Sequence, residues 1–251
     1  MTDWAAQEKA THDFADHLTR TIRTVSPTAP RFIVDALPQG EQWRAVVKPD
    51  SPNTKAPIQL TIGERPLLRL RVRYECTVSR KHSFMLVESS SIAVIPGGTR
   101  GEPLLRLEYI RHPDQGVPCS HMHVHAHRDA WTFLMSRDGA GSRRKSVRAR
   151  GQVDAAPSLS EIHFPVGGPR FRPTLEDFLE MLIHDLGIDH TKDALDVLAD
   201  ARCEWRTGQV RSVVSSMKDT AADVLRAAGW EVTPPEGHHE RSDHPNWLPR
   251  Y

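Results

Sequence analysis

Leu68-Arg69-Leu70-Arg71-Val72-Arg73-Tyr74-Glu75 alternates apolar and charged side chains without a break. Successive residues of an extended chain point to opposite sides, so this run predicts a strand with one buried and one charged face. The same period continues on both sides of it. Ile58 begins the pattern, and Phe84 to Pro96 is rich in Val, Ile and Ser before it stops at Pro96-Gly97-Gly98. Leu105, Leu107 and Tyr109 oppose Arg106 and Glu108. In His121-Met122-His123-Val124-His125-Ala126-His127, four imidazoles fall on one side and three apolar residues on the other. Ser160 to Pro165 is a shorter segment of the same kind, with Ile162 and Phe164 opposite Glu161 and His163.

The period becomes helical after Pro173. Thr174 and Asp177 stand at capping-box spacing, with Asp where Glu or Gln is usual. Leu175, Phe178, Leu179, Leu182 and Leu186 form one face, ended by Gly187. Further helices are expected over about 192–206, 210–217 and 220–228, the last with Gly229 as its C-cap. At the other end, Phe14, Leu18, Ile22 and Val25 predict an amphipathic helix over 4–25. Strands followed by helices give an α+β fold: an antiparallel sheet of about residues 58–128, plus a strand near 160–165, packed by C-terminal helices. The domain division expected is an N-terminal helix (1–25), a Pro-rich connecting arm (26–57) with a short strand around Trp43 to Val47, a main domain (58–230) and a loose tail (231–251). Within the main domain the sheet covers 58–166 and the helices 174–230. A short helix from Asp129 to Met135 and a less ordered stretch, 137–157, are expected between the last two strands.

At 251 residues and 38% hydrophobic, the chain can bury a sizeable core, and no stretch nears the roughly 20 apolar residues of a membrane helix. The polar start Met1-Thr2-Asp3-Trp4 predicts no secretory signal. The net charge of +1 gives no global pull toward nucleic acid or an anionic membrane. Three dispersed cysteines exclude a disulfide framework and a cysteine-built zinc finger, and suit a cytoplasmic location. Cys119 beside the histidine strand is expected to be a small buried residue. No dinucleotide or Walker motif, nucleophile elbow or H-E-x-x-H is present, so no nucleotide cofactor is expected.

The histidine row is the strongest chemical signal. Alternate residues of a strand lie about 6.6–7 Å apart, so one metal can take two neighbours of the row and needs a third ligand from an adjacent strand. His123, His125 and His163 are the expected metal set, with Glu108 and Glu161 also within reach of a neighbouring strand. Direct acid–base work by His123, His125 and Glu108, or a merely solvated imidazole face, are the alternatives. The alternation also puts Arg69, Arg71, Arg73 and Arg106 on the charged side, where guanidinium forks can hold phosphate. Arg170 and Arg172, beside Gly167-Gly168 and the Thr174 helix start, are further substrate-binding candidates, the alternative being a plain connection. The basic run Arg143 to Arg150 could clamp a polyanion or remain solvated.

Two resemblances attach to these residues. Arg106-Leu107-Glu108-Tyr109, His121 through Arg128, Leu159 through Gly168 and Arg170-Phe171-Arg172-Pro173 resemble an uncharacterised bacterial family, over about the central half of the chain. No activity comes with that resemblance. Separately, Pro118, His123-x-His125, Asp129 and Gly139 are similar to the first cupin motif, which implies a β-barrel holding a metal ion. Asp129 stands where that motif has Glu, the glycine spacing is longer, and the helical C-terminal segment falls where a second motif would be needed. The function expected first is an intracellular phosphoester-directed enzyme, a hydrolase or transferase acting on RNA or a nucleotide, with or without a divalent metal. A non-enzymatic protein or nucleic-acid interaction module and a cupin-like metal-binding enzyme are the alternatives. The C-terminal helices offer apolar residues for core packing or for a homodimer.

Overall fold

The computed structural model describes residues 4–39, 42–52, 57–78, 85–97, 102–114, 116–125, 163–167, 170–237 and 243–248. They form an α+β fold. Helix α1 (Trp4–Arg23) precedes eight strands: β1 (Phe32–Gln39), β2 (Gln42–Pro49), β3 (Ile58–Ile62), β4 (Arg65–Val78), β5 (Met85–Pro96), β6 (Leu105–Ile110), β7 (Ser120–Val124) and β8 (Phe164–Pro165). Helices α2 (Leu175–Leu186), α3 (Ala194–Ser216) and α4 (Lys218–Ala227) follow, then a short 3-10 turn, Pro245–Trp247. The strands lie in the order β1-β2-β4-β5-β6-β7-β8, every pair antiparallel. Strand β4 is long enough to carry β3 along its first half and β2 along its second half on the same side.

The alternation sorts the side chains as the sequence requires. Leu68, Leu70, Val72, Tyr74 and Cys76 of β4 join Ile92 and Val94 of β5 and Leu107 of β6 in one core. Leu105 and Met122 pack against its margin. The cover comes from Ala15, Leu18 and Ile22 of α1, Leu175, Phe178, Leu179 and Leu182 of α2 and Leu198 of α3. Fully burying one such leucine is worth about 1.5–3 kcal/mol. Phe14 meets Tyr74 edge to face with ring centroids 5.1 Å apart. Asp177 does complete the capping box: its backbone N–H donates to Thr174 Oγ1 at 3.1 Å, and its carboxylate accepts from the Thr174 N–H at 2.9 Å. Gly187 ends the helix in the left-handed conformation, φ 66°.

Four sequence expectations need correction. Residues 26–57 are not simply a connecting arm, because 32–39 and 42–49 are β1 and β2. The prolines that suggested an arm sit where a strand tolerates them, Pro38 on the terminal strand of the order and Pro49 as the last residue of β2. The break expected near Gly208 is absent, and α3 runs 23 residues through it. A glycine costs a helix only about 1 kcal/mol, too little by itself to end one. Part of the tail is tied down: Asp243 accepts from the N–H groups of Asp219 and Thr220 at the start of α4, and the His244 N–H donates to the Ser216 carbonyl. Finally, Arg170 and Arg172 lie on the helix side. Arg172 stacks over Tyr109, 3.9 Å from its ring centroid, and nears Trp205, while Arg170 donates to Ser212 of α3. The segment expected as helix 129–135, the stretch 137–157 with its basic run, His127 and Glu161 lie outside the described residues.

Candidate metal centre

On the face opposite the helices, the register aligns side chains in rows across the strands. Arg71, Ala93, Arg106 and His123 are successive partners, and Arg73, Ser91, Glu108 and His121 form the row beside them. Strand β8 pairs only with His121 and Met122 of β7, which sets His163 alongside His123 one step further on. Side chains of His121, His123 and His163 therefore converge. Their ring centroids are 5.0, 4.6 and 4.4 Å apart, and one nitrogen of each lies within 4.8 Å of the other two.

This face is not merely a solvated one. His121 and His123 are exposed by only 1% and 3%, and Ala93 and Ile95 of the same face are buried. His121 Nδ1 lies 2.8 Å from the Pro118 carbonyl oxygen. A carbonyl can only accept, so Nδ1 carries the proton and donates, which leaves Nε2 directed at the cluster. Glu108 Oε2 stands 3.1 Å from His123 Nε2 and 3.5 Å from His121 Nε2. Its other contact is Arg106 Nε at 3.2 Å. Burial alone raises the pKa of the Glu108 carboxyl, but its contacts with His121 and His123, and then the Arg106 charge, outweigh it and hold it well below the ordinary carboxylate range. Glu108 is thus a carboxylate at neutral pH.

Three imidazole nitrogens in such proximity could hold a metal ion. The set differs from the sequence expectation in one member: His121, rather than His125, joins His123 and His163. The reason is strand length. Strand β7 ends at Val124, so His125 lies beyond the paired segment, while His121 lies within it on the other side of His123. His125 lies just past the strand, its Nδ1 3.3 Å from Glu102. Glu102 was not expected near the site; it lies in a loop whose path alternation does not fix.

The arginines divide between the two faces. Arg69, Arg71, Arg73 and Arg106 share the imidazole face, with the small side chains of β5 between them, whereas Arg170 and Arg172 do not reach it. Arg73 pairs with Glu75 at 3.1 Å, and Arg69 donates to the Pro96 carbonyl at 3.5 Å. Cys119 is buried, as expected, and in no disulfide. Among the described residues no helix is long and apolar enough to cross a membrane. No family model, curated protein or solved structure matches the chain.

Proposed function

We propose that the protein is a metal-dependent enzyme that hydrolyses or transfers a phosphate ester, with one divalent ion of the zinc type held by His121, His123 and His163. The observation that carries this reading is the convergence of three imidazoles, two of them buried, from β7 and from the residue just before β8. A tetrahedral ion at about 2.0–2.1 Å from each nitrogen brings the nitrogens to about 3.3 Å of one another, a contraction of order 1 Å from the present arrangement. Neutral imidazoles and a nearby carboxylate form a borderline donor set that suits zinc and its neighbours better than calcium or magnesium.

Such an ion supplies a polarised water at neutral pH and charge stabilisation for a phosphoryl oxygen. The chain supplies the remainder. Pro118 fixes the His121 tautomer. Glu108, ionised and beside two of the three ligands, is placed to accept the proton of an attacking water or to close the coordination sphere. Arg106 is one strand from His123 and orients Glu108; released from it, its guanidinium can meet a phosphate oxygen.

The test is elemental analysis of untagged protein together with hydrolysis of bis(p-nitrophenyl) phosphate, p-nitrophenyl phosphate and a ribonucleotide panel. One equivalent of metal, turnover lost on chelation and restored by adding the ion back, supports the reading. Wild-type protein that neither retains a metal nor turns over any phosphate ester overturns it.

A further inference from the structure

We propose that the ester presented to this centre belongs to a single-stranded nucleic acid, laid across the strands and held by Arg106, Arg71, Arg69 and Arg73. This deepens the phosphoester reading and rests on it. Strand order supplies the first support. Counting from His123, Arg106 is one strand away and Arg71 three, so with strands about 4.8 Å apart the guanidinium groups extend to about 14 Å on one side of the histidines. Arg69 and Arg73 flank Arg71 on β4 and widen the far bank. A single phosphate group cannot span that distance, whereas a chain with successive phosphates can.

The strand between the banks supplies the second support. On this face β5 presents the small Ser89, Ser91 and Ala93 between Arg71 and Arg73 on one side and Arg106 on the other, with the larger Ile95 opposite Arg69. Long side chains on both sides of a low strand make a trough running toward His123. The acids on the same face include Asp35, Glu75 and Glu108, paired with Lys48, Arg73 and Arg106 in turn, with Glu102 near His125. Arg71 makes no ion pair among the described residues. Partly exposed ion pairs are worth only about 0–1 kcal/mol, so exchanging Glu75 or Glu108 for phosphate costs Arg73 and Arg106 little. A planar guanidinium also meets two phosphate oxygens at once, which an ammonium does not. Burial of His121 and His123 favours a single strand, since a duplex cannot lower one of its phosphodiesters to side chains exposed by 1–3%.

The experiment measures binding apart from turnover. EDTA-treated full-length protein is titrated into a fluorescein-labelled oligouridylate of about a dozen nucleotides, and anisotropy is followed at several salt concentrations. Four phosphate contacts predict a slope of log K against log [salt] of about −2.8, since each contact on a single strand contributes about −0.7. Arg71→Gln with Arg73→Gln should cut the slope by about 1.4 and weaken binding at least about tenfold at low salt. The paired Lys substitutions at the same positions should keep most of the slope, and Arg211→Gln on the exposed helical side should change nothing. A wild-type slope near zero, equal binding by the Gln pair, or competition by polyglutamate as strong as by unlabelled oligouridylate overturns the inference, the last in favour of an acidic protein partner. Metal retention and bis(p-nitrophenyl) phosphate turnover without arginine-dependent binding would defeat the nucleic-acid inference alone. Binding that follows the arginines in a protein without metal or turnover would defeat the enzyme reading and leave a nucleic-acid-binding surface.

Discussion

Two histidine–glutamate contacts of nearly equal length lie on opposite sides of the same sheet. On the helix side, His17 of α1 meets Glu176 of α2 at 3.2 Å. On the other side, His123 meets Glu108 at 3.1 Å. The first is isolated: one imidazole, one carboxylate, and around the acid the hydrogen bonds of a helix start. It ties two helices together and needs nothing else. The second belongs to three imidazoles crowded on one point beside a single carboxylate. Contact length does not separate the tie from the candidate site. The number of like groups converging does.

The sharpest way to break that comparison is to delete one ring at a time. His121→Ala, His123→Ala and His163→Ala should each abolish retention of a metal, with a loss of turnover of at least about 10²–10⁴-fold, while His125→Ala retains the ion. Elemental analysis beside far-UV circular dichroism separates this from unfolding. Loss of the ion in His125→Ala, with full retention in His121→Ala, would restore the ligand set expected from sequence. His17→Ala should leave any metal untouched.

The next effect belongs to the helix-covered face. Leu179 is fully buried in α2, and Leu179→Ala should lower unfolding free energy by about 2–5 kcal/mol in a urea titration. A loss under about 1 kcal/mol would mean that the core does not pass through α2.

Glu176 gives a smaller effect with a defined pH dependence. Burial raises its pKa, but the hydrogen bonds from His17, from its own backbone and from Thr174 outweigh burial and hold it below the usual value. Its folded pKa is therefore lower than its unfolded one. The stability it contributes is fully present above the unfolded carboxylate value, about 4.3, and is lost as pH falls through the folded value. Glu176→Gln should cost about 1–3 kcal/mol at neutral pH and flatten the acid limb of stability against pH. An unchanged acid limb would remove Glu176 as its source.

The smallest effect is the cap. Thr174→Ala removes the side-chain half of the capping box and should destabilise by about 1 kcal/mol, read as a small shift of the urea midpoint. A change in metal content on this substitution would show that the two faces are coupled through the loop before α2.

The faces differed in legibility for a physical reason. Alternation is local, so Leu68 to Glu75 and, in the histidine row, His121 and His123 assigned their sides correctly, and the helical period found α1 and α2. Hairpin β1–β2 was obscured because prolines read as loop signals wherever they occur, whereas only the strand order shows that Pro38 falls on the terminal strand. Arg170 and Arg172 could not be placed at all. Their side of the sheet is set by the turn through Gly167, φ 86°, where even a Cβ would lie 2.2 Å from the Phe171 carbonyl oxygen.

The sequence by itself determined which face of each strand carries the imidazoles, guanidiniums and carboxylates, because a period of two leaves no freedom once the apolar side is buried. Only the tertiary structure decided that β8 sets His163 beside His123 and that β7 ends before His125, so that His121 completes the triad. Strand pairing between segments about 40 residues apart is chosen by the packing of the whole sheet, which no local pattern records.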